Sequence, residues 1–235
     1  MQAGILYSIH ALTPSEESMH PAVRLLAQRN IIKSEMGRSL CRGIEATRTA
    51  DATGFIDRFI RVNRNEIWPD SYAETGILVR GFGPSDATGS EITASNNNVS
   101  QGVGNATTAM QIGPASTDVV SLEKNLLAAG PDGAGLAIFG EAIIPSGGVP
   151  LQIKAVRNSI TGGMFGIMVD DSVWASNITG NSLVGDPSND ESGDIAVCDD
   201  SANPLDRRNK STGYEFALSV GMGMDDCSSL LPAAN

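Results

Sequence analysis

Two pairs of adjacent aspartates, Asp170–Asp171 and Asp199–Asp200, each follow a short apolar segment of the chain. The first segment contains Ile167 and the second contains Ile195, and aligning these two residues places Asp171 over Asp199. If the segments are neighbouring parallel strands, the two carboxylates lie about 4.8 Å apart, which is the spacing between strands in a sheet. The alignment therefore predicts a close carboxylate pair, with Asp170 and Asp200 as binding residues beside it.

Such a pair is consistent with three kinds of chemistry. Two carboxylates about 5 Å apart can act as nucleophile and acid/base in a retaining glycosidase, and a wider separation suits an inverting one. Crowded carboxylates also raise one another's pKa or bind a hard cation such as Ca²⁺, the single cofactor that the sequence suggests. Asp-Asp is also common in solvated turns. Asp171 and Asp199 are thus the candidate catalytic residues and the candidate Ca²⁺ ligands, and Asp225–Asp226 can extend the column.

Basic and aromatic residues supply the remaining candidates. A lyase needs a base, and Arg157 and Arg207–Arg208 lie near the acidic segments, where a charge on a turn explains them equally well. Trp68 and Tyr72 belong to the insert "NEIWPDSY", and exposed aromatic faces of this kind stack on sugar rings. The alternative for Trp68 and Tyr72 is that their loop packs back onto the core.

Charge and composition exclude several classes of partner. The chain has 235 residues and a net charge of −11, and residues 81–235 hold six Lys and Arg against eighteen Asp and Glu. An acidic surface argues against nucleic acid and anionic membranes, because phosphate groups need basic partners. The sequence contains no apolar run of about 18 residues, so membrane insertion is not expected.

Cysteines and histidines add little chemistry. The three cysteines do not form a disulfide framework, although Cys198 and Cys227 can pair or remain free thiols. His10 and His20 have no partner at metal-ligand spacing, so no zinc site is expected.

The elements that must position these candidates belong to a repeat. The stretches "NSITGGMFGIMV" (158–169) and "NKSTGYEFALSV" (209–220) match without a gap: each opens on Asn and ends on a small residue followed by alternating aliphatics. An alternating strand such as "LQIKAVRN" (151–158) precedes each Asn. The repeat Asn residues, at spacings of 35, 33, 27, 33, 23 and 28, are Asn30, Asn65, Asn98, Asn125, Asn158, Asn181 and Asn209.

A fixed motif with variable spacing indicates a coiled solenoid whose corners accept insertions. Stacked coils place equivalent residues on one another, so the Asn side chains are expected to form an amide ladder at one corner. The small residue before each aliphatic, usually Gly, is expected to relieve crowding at the strand. The predicted inner aliphatic column consists of Ile44, Ile77, Met110, Leu136, Ile167, Ile195 and Leu218.

This pattern resembles the right-handed parallel β-helix repeat family, which includes pectate-lyase-like enzymes, phage tailspikes and periplasmic copper-centre maturation proteins. The resemblance implies an all-β fold, a right-handed single-stranded parallel β-helix of about seven to eight coils, formed by one domain over residues 1–235. The predicted coils are approximately 1–29, 30–64, 65–97, 98–124, 125–157, 158–180, 181–208 and 209–224, and 225–235 form an irregular tail.

Two functions follow from this architecture. The first is a rigid scaffold that presents a face or corner loops to an extended polysaccharide or a partner chain. The second, which the resemblance implies, is a carbohydrate-active lyase, hydrolase or epimerase that uses Asp171 and Asp199. The unpaired strand edges at the ends of a β-helix need to be covered. A homo-oligomer or a larger parent protein is expected to cover them. The expected location is extracellular, periplasmic or on a cell or virion surface.

Overall fold

Strands and turns make up the described part of the molecule. The computed structural model describes residues 3–9, 22–33, 42–48, 57–68, 75–80, 91–100, 108–113, 119–139, 152–171, 173–185, 194–217 and 219–220. Within these ranges there are 22 strands and no helix.

The strands form three parallel sheets, here called A, B and C. Sheet A contains β1 (Ala3–Ile9), β4 (Arg42–Arg48), β7 (Thr75–Arg80), β10 (Thr108–Gly113), β13 (Ala134–Ile138), β16 (Phe165–Val169), β19 (Ile195–Asp199) and β22 (Ser219–Val220). Sheet B contains β2 (Ala22–Gln28), β5 (Asp57–Asn63), β8 (Glu91–Ser95), β11 (Val119–Glu123), β14 (Gln152–Val156), β17 (Ala175–Thr179) and β20 (Asn203–Arg207). Sheet C contains β3 (Ile31–Lys33), β6 (Glu66–Trp68), β9 (Asn98–Val99), β12 (Leu126–Ala128), β15 (Ser159–Thr161), β18 (Ser182–Val184) and β21 (Lys210–Thr212).

Each coil contributes one strand to each sheet, in the order A, B, C, and every third strand along the chain pairs in parallel with the next. The described strands thus make seven three-strand coils and the sheet A strand of an eighth. The architecture is the all-β parallel solenoid that the repeat predicts, and the right-handed sense of the coil stays a prediction.

The core runs along the inside of the stack because alternate residues of each strand point inward. In sheet A, Ile44, Ile77 and Met110 pair in register and are fully buried, and the column continues through Leu136 and Ile167. The predicted need for a small residue before the aliphatic is confirmed. A Cβ on Gly76 would lie 2.6 Å from the carbonyl oxygen of Ala109 in the next coil.

The next member of this column differs from the prediction. Ile167 pairs with Val197, and Ile195 pairs with Phe165, so the predicted frame of the β19 strand is displaced by two residues. Ile195 packs with Phe165 in a separate buried cluster, whereas the adjacent residues Ala196 and Val197 both belong to the main core. Strict alternation therefore does not hold at this point of the strand, and it cannot give the frame. Leu218, the last predicted member, lies outside the described residues.

The asparagine ladder is confirmed, with one correction. Its members stand between sheets B and C, and each Nδ2 donates to the Oδ1 of the next Asn at 2.9–3.0 Å. The third coil supplies Asn97, whereas the predicted Asn98 lies in β9 and is half-buried. Three consecutive asparagines, 96–98, made the choice ambiguous from sequence. The ladder residues are Asn30, Asn65, Asn97, Asn125, Asn158, Asn181 and Asn209.

The outer face of sheet A is buried as well, from β13 to β19. Ala137, Met168 and Cys198 form an outward column of this face, and Phe139 and Met164 pack against the cluster that contains them. Cys198 is disulfide-bonded. Cys41 and Cys227 are the other two cysteines of the chain, and both lie outside the described residues.

Candidate functional site

The predicted carboxylate pair does not have the expected register. Asp199 pairs with Val169 in the neighbouring coil, and Asp171 comes two residues after that position. The side chain of Asp171 is exposed, whereas that of Asp199 is fully buried. The stacking that motivated a catalytic pair is therefore absent, and a catalytic role for either residue stays a prediction without that support.

Asp199 instead belongs to a buried hydrogen-bonded cluster. The Ser176 hydroxyl donates to Oδ2 of Asp199, and the backbone N–H of Ser201 donates to Oδ1 at 3.0 Å. The two serine hydroxyls are 3.0 Å apart, and both serines are buried. Because each carboxylate oxygen accepts a hydrogen bond, Asp199 is accommodated inside the solenoid, where an unpartnered charge would be costly.

This cluster marks a change in the solenoid interior near its C-terminal end. Asp206 continues the inward column of sheet B, where Leu122, Ala155 and Ile178 precede it. Asn209 donates to Oδ1 of Asp206, and Oδ2 is buried without a hydrogen-bond partner. Burial raises the pKa of Asp206 to about 6, the charge of Asp199 adds to the rise, and the hydrogen bond from Asn209 opposes it.

The other predicted polar residues are dispersed. Asp170 and Asp200 follow β16 and β19 directly, and their backbone N–H groups donate to Ile138 and Val169 of the preceding coils at 3.0 Å. Arg157 stands at the other end of sheet B, just after β14. The corner after sheet A holds Asp170 and Asp200, and the corner after sheet B holds Arg157. A five-residue strand of sheet B separates these two corners by roughly 16 Å. Arg157 thus lies at a different corner from Asp170 and Asp200, and its binding role stays a prediction.

The corner between sheets B and C, here called the BC corner, has the most regular polar surface. The residue before each ladder Asn has a positive φ, from 54° to 67°, in the left-handed (αL) region. In six of the seven coils its N–H donates to a strand-end carbonyl of the next coil, as Arg64 does to Ser95 at 3.0 Å. We call these residues the αL row: Arg29, Arg64, Asn96, Lys124, Arg157, Gly180 and Arg208. In the sequence they are the residues that precede each ladder Asn, and their basic character is the signal that would identify them.

A shallow cleft lies on the first three coils of this corner. It is lined by amide, hydroxyl and guanidinium groups, which belong to Gln28, Arg29, Asn63, Arg64, Ser95 and Asn96. The Asn63 Oδ1 accepts hydrogen bonds from the N–H and hydroxyl of Ser95, both at 3.1 Å. Residues of neighbouring coils therefore contact one another within the cleft.

Trp68 is the exposed aromatic residue next to this corner. It ends β6, four residues after Arg64, and is 45% exposed. Lys33 of the preceding coil places its Nζ 4.8 Å from the centre of the indole ring. Tyr72, the second predicted sugar-stacking residue, lies outside the described residues. The prediction that Trp68 presents an exposed face is compatible with this geometry, and its binding role stays a prediction.

No group of three or more His, Cys, Asp or Glu side chains in the described ranges is arranged to hold a metal ion. None of the residues that the structure describes forms a helix long and apolar enough to cross a membrane.

The fold defines the class of this protein as a parallel β-solenoid with an internal asparagine ladder. Comparison with protein-family models, with curated proteins and with solved structures gives no match in any of the three.

Proposed function

We propose that this solenoid is a rigid scaffold that binds an extended polysaccharide along the BC corner. The observation that carries the proposal is the cleft of amide, hydroxyl and guanidinium groups at the corner from which β6 leads to the exposed Trp68. Sugar rings stack on aromatic faces, and their hydroxyls exchange hydrogen bonds with amides. A stack of equivalent coils repeats its surface groups at the strand spacing, which suits a polymer better than a small ligand.

The compartment of this scaffold is proposed to be extracellular, periplasmic or a cell or virion surface. The disulfide at Cys198 supports this location, because disulfides persist in oxidising environments. A partner chain remains the second kind of ligand that the exposed corner could accept. The carbohydrate-active enzyme has less support, since Asp171 and Asp199 do not form the pair that its chemistry needs.

The two tryptophans of the chain provide a matched test. Trp68 and Trp174 are 45% and 47% exposed, but Trp174 lies at the opposite end of sheet B, just before β17. Binding to a panel of neutral and acidic polysaccharides would be measured by affinity electrophoresis for wild type, Trp68→Ala and Trp174→Ala. We expect Trp68→Ala to weaken binding by roughly two- to tenfold, the range of a lost aromatic contact, and Trp174→Ala to leave it unchanged.

Three outcomes would contradict the proposal. Failure of every polysaccharide to bind would remove the function, and loss of binding in Trp174→Ala alone would move the site away from the BC corner. Release of new reducing ends or unsaturated products would indicate an enzyme, with Asp171→Asn and Asp199→Asn as the variants to compare.

A further inference from the structure

The αL row is basic on an acidic protein. Five of its seven positions are Arg or Lys, whereas the whole chain has 16 Lys and Arg in 235 residues and a net charge of −11. We call these five the basic row: Arg29, Arg64, Lys124, Arg157 and Arg208. All five side chains are exposed. The enrichment is confined to one geometrically defined position of the repeat.

The backbone does not favour basic residues at this position. A positive φ crowds the Cβ of any residue other than Gly and costs about 1–2 kcal/mol, although Asn tolerates it better. Asn96 and Gly180 occupy two positions of the row, which shows that the coil forms with either residue. A Cβ on Gly180 would meet no atom within 4 Å, so the position opens into solvent. Neither backbone conformation nor packing therefore accounts for the basic row.

Electrostatics in the folded state also opposes the row. Adjacent coils are about 4.8 Å apart, so Arg29 and Arg64 stand one strand spacing from each other, as do Lys124 and Arg157. None of the five forms an ion pair with an acidic side chain of the described residues. The carboxylate of Glu123 contacts Lys154 at 2.5 Å and also attracts the neighbouring Lys124. The hydrogen bond from Lys154 lowers the pKa of Glu123, and the charge of Lys124 contributes to this. Like charges at this spacing repel, and a bound anion would relieve the repulsion.

We propose that the basic row binds the anionic groups of a linear acidic polysaccharide that lies along the BC corner. This inference rests on the proposed function and specifies its ligand as a polymer with carboxylate or sulfate groups along its chain. The guanidinium and ammonium groups meet those anions, while the cleft amides and Trp68 contact the neutral parts of the sugar. An acidic protein that aligns five cations at one corner suits such a chain better than nucleic acid, which rewards a broad basic surface.

The test uses ligand pairs that differ in charge alone. Polygalacturonate is compared with its fully methyl-esterified form, and dextran sulfate with dextran, by affinity electrophoresis and by quenching of tryptophan fluorescence. We expect the charged member of one pair to bind more tightly. Its advantage is expected to fall as ionic strength rises from about 0.01 M to 0.15 M, where the screening length drops from about 30 to 8 Å. The pair that responds distinguishes carboxylate from sulfate.

The decisive variant is the triple substitution Lys124→Asn, Arg157→Asn and Arg208→Asn, because none of these three residues lines the cleft. Asn accepts the αL conformation, so we expect an unchanged or higher Tm together with roughly tenfold weaker binding of the charged ligand. The neutral ligand is expected to bind as before. Arg157→Lys with Arg208→Lys keeps the charge and is expected to retain binding. A second comparison removes one positive charge at two different places. Lys124→Asn removes it from the basic row, and Arg42→Asn removes it from sheet A, where no effect on binding of the charged ligand is expected.

The outcomes separate this inference from the proposed function. If the charged and neutral ligands of each pair bind equally well, and the triple variant binds them as wild type does, the inference is overturned and the proposed polysaccharide scaffold is unaffected. Tighter binding of a single-stranded oligonucleotide, lost in the triple variant, would overturn the choice of ligand. Absence of binding to every polysaccharide would overturn both, and loss of binding in Arg42→Asn to the same extent as in Lys124→Asn would reduce the effect to net charge.

Discussion

At the scale of single residues, the ladder asparagines use nearly all of their hydrogen-bonding capacity. Asn97 donates from Nδ2 to Asn125 at 3.0 Å and to the carbonyl oxygen of Val62 at 2.7 Å. Its Oδ1 accepts from the N–H and the Nδ2 of Asn65 at 3.1 and 2.9 Å. An amide side chain carries two donors and two acceptor sites, so one Asn satisfies groups in the coils on both sides.

Asn97 and Asn98 therefore offer a matched pair of substitutions. Asn97→Ala leaves buried donors and acceptors without partners, and we expect it to lower the free energy of unfolding by about 2–4 kcal/mol. Asn98→Ala changes an outward residue of β9 and is expected to stay within about 0.5 kcal/mol of wild type. Urea unfolding followed by circular dichroism measures both. Similar losses in the two variants would mean that the ladder position has been assigned to the wrong residue.

The sequence predicted the ladder and the solenoid because stacking repeats the same side-chain requirement in every coil. It did not predict the candidate site equally well, and the register of one strand accounts for the carboxylate pair that is absent. In "DIAVCDD" (194–200), Ile195 and Val197 fit the inner column, but the coil uses Val197 and Asp199. A carboxylate is not expected in an inner column, because a buried charge needs a hydrogen-bond partner. The partner of Asp199 is Ser176, which lies in another coil. No local pattern reveals such a partner.

At the scale of the elements, the strands of the last complete coil differ from those before them. The inward positions of β19, β20 and β21 include Asp199, Asp206 and Ser211, at columns that are aliphatic in the middle coils. Each strand keeps its parallel pairing while its inner face turns polar. The backbone register thus continues although the apolar contacts that stabilise the earlier coils are replaced.

Asp206 makes this end of the solenoid sensitive to pH. Its pKa is raised to about 6 in the folded protein from an ordinary value of 3.8, because burial disfavours the charged form. The folded state therefore holds an extra proton between these two pH values, and stability decreases as pH rises from about 4 to about 6. Above pH 6 the full destabilisation is present.

Asp206→Asn is expected to remove this dependence. The amide keeps a polar group beside Asn209 without a buried charge, so the Tm at pH 7 should rise, by roughly 2–4 °C for each kcal/mol relieved. The increase in Tm that wild type gains between pH 7 and pH 5 should shrink in the variant. Asp171→Asn makes the same charge change at an exposed site and serves as the control. A lower Tm for Asp206→Asn at pH 7 would show that the carboxylate stabilises the coil.

At the scale of the whole molecule, a solenoid is a one-dimensional stack in which each coil contacts its neighbours alone. Its stability is therefore expected to vary along the axis. The middle coils have a strand on both sides and an apolar interior, as β11 does between β8 and β14. In the described residues, β20 and β21 are paired on one side alone, and most side chains of β20 are exposed.

Native-state hydrogen exchange is expected to resolve this gradient. Amides of β8, β11 and β14 should exchange through large openings of the stack and show the highest protection, while amides of β20 and β21 should exchange through local opening. We expect at least a roughly tenfold difference in protection, since each 1.4 kcal/mol of opening free energy corresponds to that factor. In Asp206→Asn, protection should rise in β20 and β21 and stay constant in β11. Equal protection along the whole stack would indicate that the coils unfold as one cooperative unit, contrary to a stack whose last coil opens by itself.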